Sequence, residues 1–455
     1  MSSLFALLNV ARDGIGAQTA GVEITGQNIT NANTPGYVRR SAILEGNQTN
    51  GGVQYKGVAR SFDQFTFAAV VLEHGKSGAA SGRSDSLAQL EGVVAPQTGG
   101  VGDKIDAFNT AIQALTGSPA DPSVRATVLS AAQDLAQSVS QTAQGIQKSR
   151  DDMLTKAQGI ASDLNQDLGS IAKLNGQIAN ATAAGSDASD LKDQRDKLVT
   201  DVSNKIGAKT ITDGSGQVTL FAAGTTLVSG NIADSISVGT DANGNMQVTA
   251  NRTDGAAVDV TSFTNDGQLG GIREARDTDA SNSLNQLDQF AYDFSNKVNS
   301  IQSAGYGIDG TTGNNMFVAP ATVAGSAKAM ALSSAIAGHP EKIAASSTAA
   351  GLPSGNDVAV QLAGLASTSI GASGTPTQTY AAIATSVGIA KQSSDNEAQL
   401  RTSTVAQAET LNSSASGVSL DEEMANLTQY QRAFQASSKV LQTADALLQA
   451  LLDSV

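Results

Sequence analysis

Large apolar residues recur at every seventh position along the last stretch of the chain: Leu420, Leu427, Phe434, Leu441, Leu448 and Val455, with Met424 and Leu452 on the neighbouring seam. A seven-residue apolar repeat marks a helix that buries one narrow stripe against other helices. Ser419 followed three residues later by Glu422 predicts a capping box, and Asp421, Glu422 and Glu423 place negative charge at the positive end of the helix dipole. The opening stretch repeats the pattern at Met1, Leu8, Ile15, Val22 and Ile29, with Leu4 and Ala11 beside them. It predicts a helix from about Ser3 to Thr30, in which Gly14, Gly16, Gly21 and Gly26 each cost roughly 1 kcal/mol relative to Ala. Burying six large side chains contributes roughly 9–18 kcal/mol, whereas ordering the backbone costs about 1–2 kcal/mol per residue. Neither helix stands alone in water. The two are expected to pair with each other, the alternative being that each docks separately on a core.

Between the ends the pattern changes several times. Asn28 to Arg40, NITNANTPGYVRR, stops the first helix: asparagines favour turns, Pro35 halts helix and Gly36 permits the turn. Tyr37–Leu44 and Gly52–Arg60 read as short strands, and Phe62 to about Glu91 returns to helix with several glycine interruptions. Asp121-Pro122 opens a long helix to about Thr182, stepped by seven at Val139, Ile146, Met153 and Ile160, then again at Leu164, Ile171 and Ile178. Asp190–Ile206 is a further helix. From Gly207 to Gly267 short apolar alternations are punctuated by Asp213-Gly214, Asn243-Gly244, Asp254-Gly255 and Asp266-Gly267, which predict hairpin turns. Helix resumes by Leu269 and again from Thr377 to about Leu411, whereas Gly305 to Pro376 carries no assignment.

The fold class is therefore mainly α with an inserted small antiparallel β-domain (α+β): paired terminal heptad helices, a long helical-bundle body and a β insert. The nested order divides the chain into 1–60 with 412–455, 61–206 with 268–411, and 207–267. Both ends are expected at one pole of a rod, with the insert at the other or projecting sideways.

Composition narrows the function. Trp and Cys are absent, aromatic residues are scarce, and small and amide residues dominate, which suits long helices in close contact better than one thick core. The net charge of -14 argues against nucleic acid and anionic membrane surfaces as partners. No apolar run approaches a membrane span, and MSSLFALLNVARDG lacks the basic start and cleavage site of a secretory signal. By that criterion alone the chain reads as cytoplasmic.

Candidate chemistry is thin. His74 and His339 are the only histidines, each read as ordinary surface, so neither a multi-histidine metal site nor a Cys–His nucleophile is built. Asp421, Glu422 and Glu423 are read as helix capping and not as an acid–base pair, and Asp241-Ala-Asn-Gly-Asn245 as a turn and not a calcium loop. Gly99-Gly-Val-Gly102 is too short for a phosphate loop, and Arg39-Arg40 reads as a surface or subunit salt bridge. No catalytic residue, cofactor or metal is assigned.

Asn28–Tyr37, taken with the terminal heptad helix, resembles the signature of the bacterial flagellar axial proteins, the rod, hook and hook-associated subunits. Within that family, the helical middle with DLKDQRDKLVTDVS, GGVQYKGVARSFDQF, GQLGGIREARD and GVSLDEEMANLTQYQRAFQASSKVL is similar to hook-associated proteins of the hook–filament junction. The resemblance implies a non-enzymatic structural subunit, exported without a cleaved signal and working outside the cell in the flagellum. It implies assembly as a helical homo-oligomer beside the hook protein and the next hook-associated protein towards the filament, with an export chaperone on the C-terminal region. Its interface would hold Leu8, Ile15, Val22, Ile29, Asn31, Pro35, Gly36, Tyr37, Leu420, Met424, Leu427, Phe434, Leu441, Leu448 and Leu452. A hook or rod subunit is the alternative within the family, and a wall hydrolase on a flagellar scaffold the alternative outside it. The predicted insert is shorter than the outer domains many relatives carry.

Overall fold

The computed structural model describes residues 2–47, 51–371 and 374–453, without the side chains of residues 2, 3, 451 and 452. Met1 and Val455, and the side chain of Leu452, thus lie outside the described residues. Helix α1 (Ser2–Asn31) leads into a hairpin of β1 (Arg40–Gly46) and β2 (Val53–Arg60). The body follows as α2 (Gln64–Val94), α3 (Val101–Gly117), the long α4 (Pro122–Ala183) and α5 (Ser189–Ile206). At 62 residues, α4 is about 93 Å long. It is the beam of the molecule.

Its predicted heptads are the core. Val139, Ile146, Met153, Leu164, Ile171 and Ile178 are buried, with Ile160 half-buried. Asp121 caps the start by accepting from Ser123 N, and Pro122 occupies the first turn, where its missing N–H costs nothing.

The glycines that weaken α2 as a helix are what let it pack. Gly78 meets the backbone of α5 at Asn204, and Gly82 meets Gln268 in α6 (Gly267–Glu274). Gly271 of α6 in turn lies against the Ala79 carbonyl. Two helix backbones touch here, with no side chain between them.

The insert contains β3 (Ala208–Thr212), β4 (Val218–Ala222), β5 (Thr225–Ser229) and β6 (Ile232–Ala233) in one antiparallel sheet. A second sheet contains β7 (Ser235–Thr240), β8 (Met246–Asn251) and β9 (Ala257–Asp259). The Asp241 carboxylate accepts from Asn243 N and Asn245 N, and Gly244 has φ of 77°, so this segment is a hairpin turn. Asp266-Gly267 departs from the expected hairpin: Gly267, at φ 72°, opens α6 against the backbone of Ile206.

The insert does not sit at the far pole. It lies alongside the C-terminal half of α4, where amide side chains hold its strands. Asn165 donates to Ile236 O at 2.9 Å and accepts from Ile236 N at 2.7 Å, closing the free edge of β7. Asn175 binds Val218 O, Gly230 O and Val218 N in the same way. A π-helical turn at Ala275–Asp279 aims Arg276 at Gly244 O and Asp277 at Met246 N, fixing the tip of the second sheet.

The far pole is made by α3, the start of α4 and the largely irregular segment after α7 (Ala280–Gln302). That segment includes α8 (Ser326–Ala329) and α9 (Asp357–Gly364). It has no strong period because amides and one arginine hold it. Asn299 pairs both backbone groups of Phe317, and Gln302 pairs Lys342 O and Ala344 N. Phe108, Phe290, Phe294 and Phe317 form the aromatic centre beneath it.

Helix α10 (Pro376–Ser416) returns along α2 and feeds α11 (Leu420–Asp453). Near its start the buried Tyr380 hydroxyl donates to Val94 O at 2.6 Å, and burial pushes its phenol up to about 12 from an ordinary 10. The unfolded phenol ionises first, so this stabilisation is complete below pH 10 and is lost as pH rises through the folded value. Two pKa units correspond to about 2–3 kcal/mol. Urea titrations of wild type between pH 9.5 and 12 should show that loss, and Tyr380→Phe should remove it. An unchanged slope in the variant would refute the assignment.

Candidate assembly interface

Helices α1 and α11 lie antiparallel, and their contact is built from small residues. A Cβ placed on Gly14 would stand 3.0 Å from Ser437 Oγ, and one on Gly21 would stand 2.7 Å from the Tyr430 ring. Seven residues further on, Asn28 Nδ2 donates to Glu423 Oε2 at 2.9 Å. Each step of seven along α1 thus meets a step of seven back along α11. Ala444, fully buried, lies seven residues further along the same line of α11. Glycine is required beneath Tyr430, because any Cβ at position 21 would overlap the ring.

The seam is consequently not the line of large residues. Leu8, Ile15, Val22 and Ile29 lie one position past the small residues of α1 and are half-buried. On α11 the contact runs through Glu423, Tyr430, Ser437 and Ala444, three positions past the heptad line. Leu427, Leu441 and Leu448 flank it half-buried, while Leu420, Met424 and Phe434 are 50%, 55% and 38% exposed. Phe5 and Leu447 are also open to solvent. Small-to-aromatic contact brings the helix axes close and pushes the larger side chains to the flanks.

The turn after α1 is assembled by its asparagines. Thr34 N donates to Asn31 O, Thr34 Oγ1 donates to Asn31 Oδ1, and Gly36 takes φ of 82°. Pro35 and Gly36 are exposed, whereas Tyr37 folds back and donates its hydroxyl to Asn28 Oδ1 at 2.9 Å. Burial raises the Tyr37 phenol above its ordinary range.

The base of the hairpin carries the charge. Its register places Arg40 directly across from Arg60, a like-charge pair that is unfavourable by itself. Helix α5 neutralises it with carboxylates three residues apart on one face. Arg40 Nη2 donates to Asp190 at 2.5 Å and Asp193 at 2.9 Å, and Arg60 pairs with Asp193 at 2.5 Å and Asp196 at 2.8 Å. Burial raises the Asp193 carboxyl against the pull of Arg60 and Arg40, and burial together with Arg195 and Arg60 lowers Lys192.

Arg39 points the other way. Its Nε donates to Glu423 at 2.8 Å and its Nη1 to Glu422 at 2.7 Å, while Arg39 N donates to Ser416 O. Glu422 and Glu423 were expected to cap the helix; their carboxylates instead bond Arg39, and Glu423 also bonds Asn28 and is 2% exposed. A missed signal was present: DLKDQRD on α5 repeats an acid every third residue, and these three acids meet Arg40 and Arg60 at the base of the hairpin.

A cleft of about 470 Å³ separates the turn from the body, with Pro35, Phe62, Phe67 and Asn412 on its walls. His74 on the same wall bonds Glu409 at 2.9 Å. Among the described residues no group of acids and histidines is placed to hold a metal, and no helix is long and apolar enough to cross a membrane.

A family model described as the helical domain of the flagellar hook-associated protein FlgK matches residues 87–317, just over half of the chain. A second, described as the C-terminal region of the flagellar basal body rod proteins FlgEFG, matches residues 412–454. "Flagellar hook-associated protein 1" of Salmonella typhimurium is 29% identical over 327 residues, covering 69% of this chain and 59% of the relative. The chain thus matches about three fifths of the length of that relative. The protein of the same name from Bacillus subtilis is 27% identical, covering 100% of this chain and 99% of its own. The flagellar hook junction protein FlgK from Burkholderia pseudomallei matches in structure with a TM-score of 0.50 and 25% identity, over 55% of this chain and 46% of that one.

Proposed function

The chain belongs to the FlgK family of flagellar hook-associated proteins, and from that premise we propose that it is a structural subunit of the hook–filament junction. The observation that carries this reading is the division of labour on the terminal helices. Their small-residue seam is closed within the chain, and an apolar line through Leu420, Met424 and Phe434 on α11 is left open. Neighbouring copies of the same helices are the natural cover, since an array of such pairs buries every open line in turn.

In this reading residues 1–60 with 412–455 are the assembly unit. Residues 61–206 with 268–411 are the outer body, and 207–267 is an accessory insert on its flank. The interface comprises the residues predicted above from Leu8 to Leu452. Hook protein lies on one side and the next hook-associated protein on the other. The subunit reaches this position by export without a cleaved signal, escorted by a chaperone on its C-terminal region.

Deleting the gene in the source bacterium should leave hooks without filaments and release filament protein into the medium. Normal filaments on electron micrographs would sink the proposal. A hook or rod subunit would instead be located within the hook or the rod when labelled protein is traced on isolated hook–basal bodies.

A further inference from the structure

The apolar lines of α1 and α11 repeat every seven residues, so they are nearly blind to a slip of seven. Sliding α11 so that Tyr430 lies over Gly14 keeps a ring over a glycine and keeps large residues on both flanks. The opposite slip places Tyr430 against Asn28. The first slip is the serious competitor, because it keeps a ring over a glycine.

What opposes it is polar. Asn28, fully buried, donates to Arg40 O at 2.7 Å and to Glu423 Oε2 at 2.9 Å, and accepts from Tyr37 Oη at 2.9 Å and Arg40 N at 3.0 Å. Two donors and two acceptors are all that an amide side chain possesses. Glu423 is equally committed, to Asn28 through one oxygen and to Arg39 through the other. In the competing register Glu423 would face Gly21, away from both partners. A buried carboxylate without partners is strongly unfavourable.

We propose that the Asn28–Glu423–Arg39 cluster is the register pin of the terminal helix pair, selecting one of several heptad alignments that the apolar residues alone leave nearly equal. Through Arg40, which Asn28 holds by its backbone and Asp190 and Asp193 hold by its side chain, the pin also refers that alignment to the body. A subunit whose ends are offset by seven residues would present its open line displaced by about 10 Å. Such a subunit would not match its neighbours.

The chain contains no cysteine, so engineered pairs report the register directly in the full-length protein. Gly14→Cys with Ser437→Cys reports the native alignment, since a Cβ at position 14 lies 3.6 Å from that of Ser437, within disulfide range. Leu7→Cys with Ser437→Cys reports the slipped one. With the pin intact the native disulfide should exceed the slipped one by about tenfold or more, as expected for a lost charged hydrogen bond. In the Asn28→Leu, Glu423→Leu background the two should form to similar extents. Glu423→Gln keeps an oxygen for Asn28 and should retain the native product.

Native cross-linking unchanged in the double leucine variant would overturn the proposal. Loss of both disulfides together with the terminal helical signal would also overturn it, by making the cluster a requirement for pairing and not a selector among pairings. Slippage already complete in Glu423→Gln would remove Asn28 from the device.

Discussion

Replacing Gly271 by valine should abolish the cooperative folding of the helical body. A Cβ alone would stand 2.0 Å from the Ala79 carbonyl oxygen and 2.8 Å from Arg83 N, and both are backbone atoms that cannot swing aside. Relief requires parting α2 from α6, which also breaks the approach at Gly82, where a Cβ would stand 2.8 Å from Gln268 O. Costs above about 4 kcal/mol are exceptional for one substitution, and overpacking of backbone on backbone is among the few routes to them. Even Gly271→Ala should be severe. Gly92, whose Cβ would meet nothing within 4 Å, is the control: alanine there should be neutral or stabilising by up to about 1 kcal/mol. Thermal unfolding and soluble yield separate the two. Equal stability of the Gly271 and Gly92 alanine variants would disprove the backbone contact.

Arg125→Ala should loosen the far pole by about 2–5 kcal/mol. The guanidinium is 1% exposed, donating to Pro119 O at 2.7 Å and to Ile343 O at 2.5 Å, so it stitches the start of α4 to the irregular segment. Burial lowers its affinity for the proton, and Asp309 partly restores it. Removing the side chain leaves the buried Ile343 carbonyl and the part-buried Pro119 carbonyl without this donor, as well as a cavity. Amide hydrogen exchange should accelerate around residues 117–121 and 340–346, with α1 and α11 unaffected. Exchange unchanged in those two segments would show that the arginine is not the stitch.

These two sites also mark where the sequence was and was not legible. Heptad spacing located the terminal helices and α4 because a helix that buries one stripe writes that stripe into its sequence. The glycines of α2 read as interruptions, since propensity counts their cost and cannot see the backbone they admit. Gly14 and Gly21 hid the true seam for the same reason, and it runs beside the leucines, not through them. The segment after α7 was unreadable because its order comes from Asn299, Gln302 and Arg125, single side chains that bind backbone and impose no period. The position of the insert followed from Asn165 and Asn175, whose polarity on an otherwise regular helix was the available clue. Of the assembly site, the residues left open at Leu420, Met424 and Phe434 were named from the pattern, whereas Asn28, Glu423 and Tyr430 were not.

The central claim is that the open line on α11 is made for neighbouring subunits. Its direct test is incorporation of a Leu420→Asp, Met424→Asp double variant, supplied to cells lacking the native gene and located by immunogold labelling on isolated flagella. Both positions are at least half exposed, so the monomer should keep its melting temperature, as surface changes usually stay within about 0.5 kcal/mol each. The expected result is a stable, exported protein with no label at the junction and hooks without filaments. Label at the junction at wild-type density, with filaments of normal length beyond it, would contradict it.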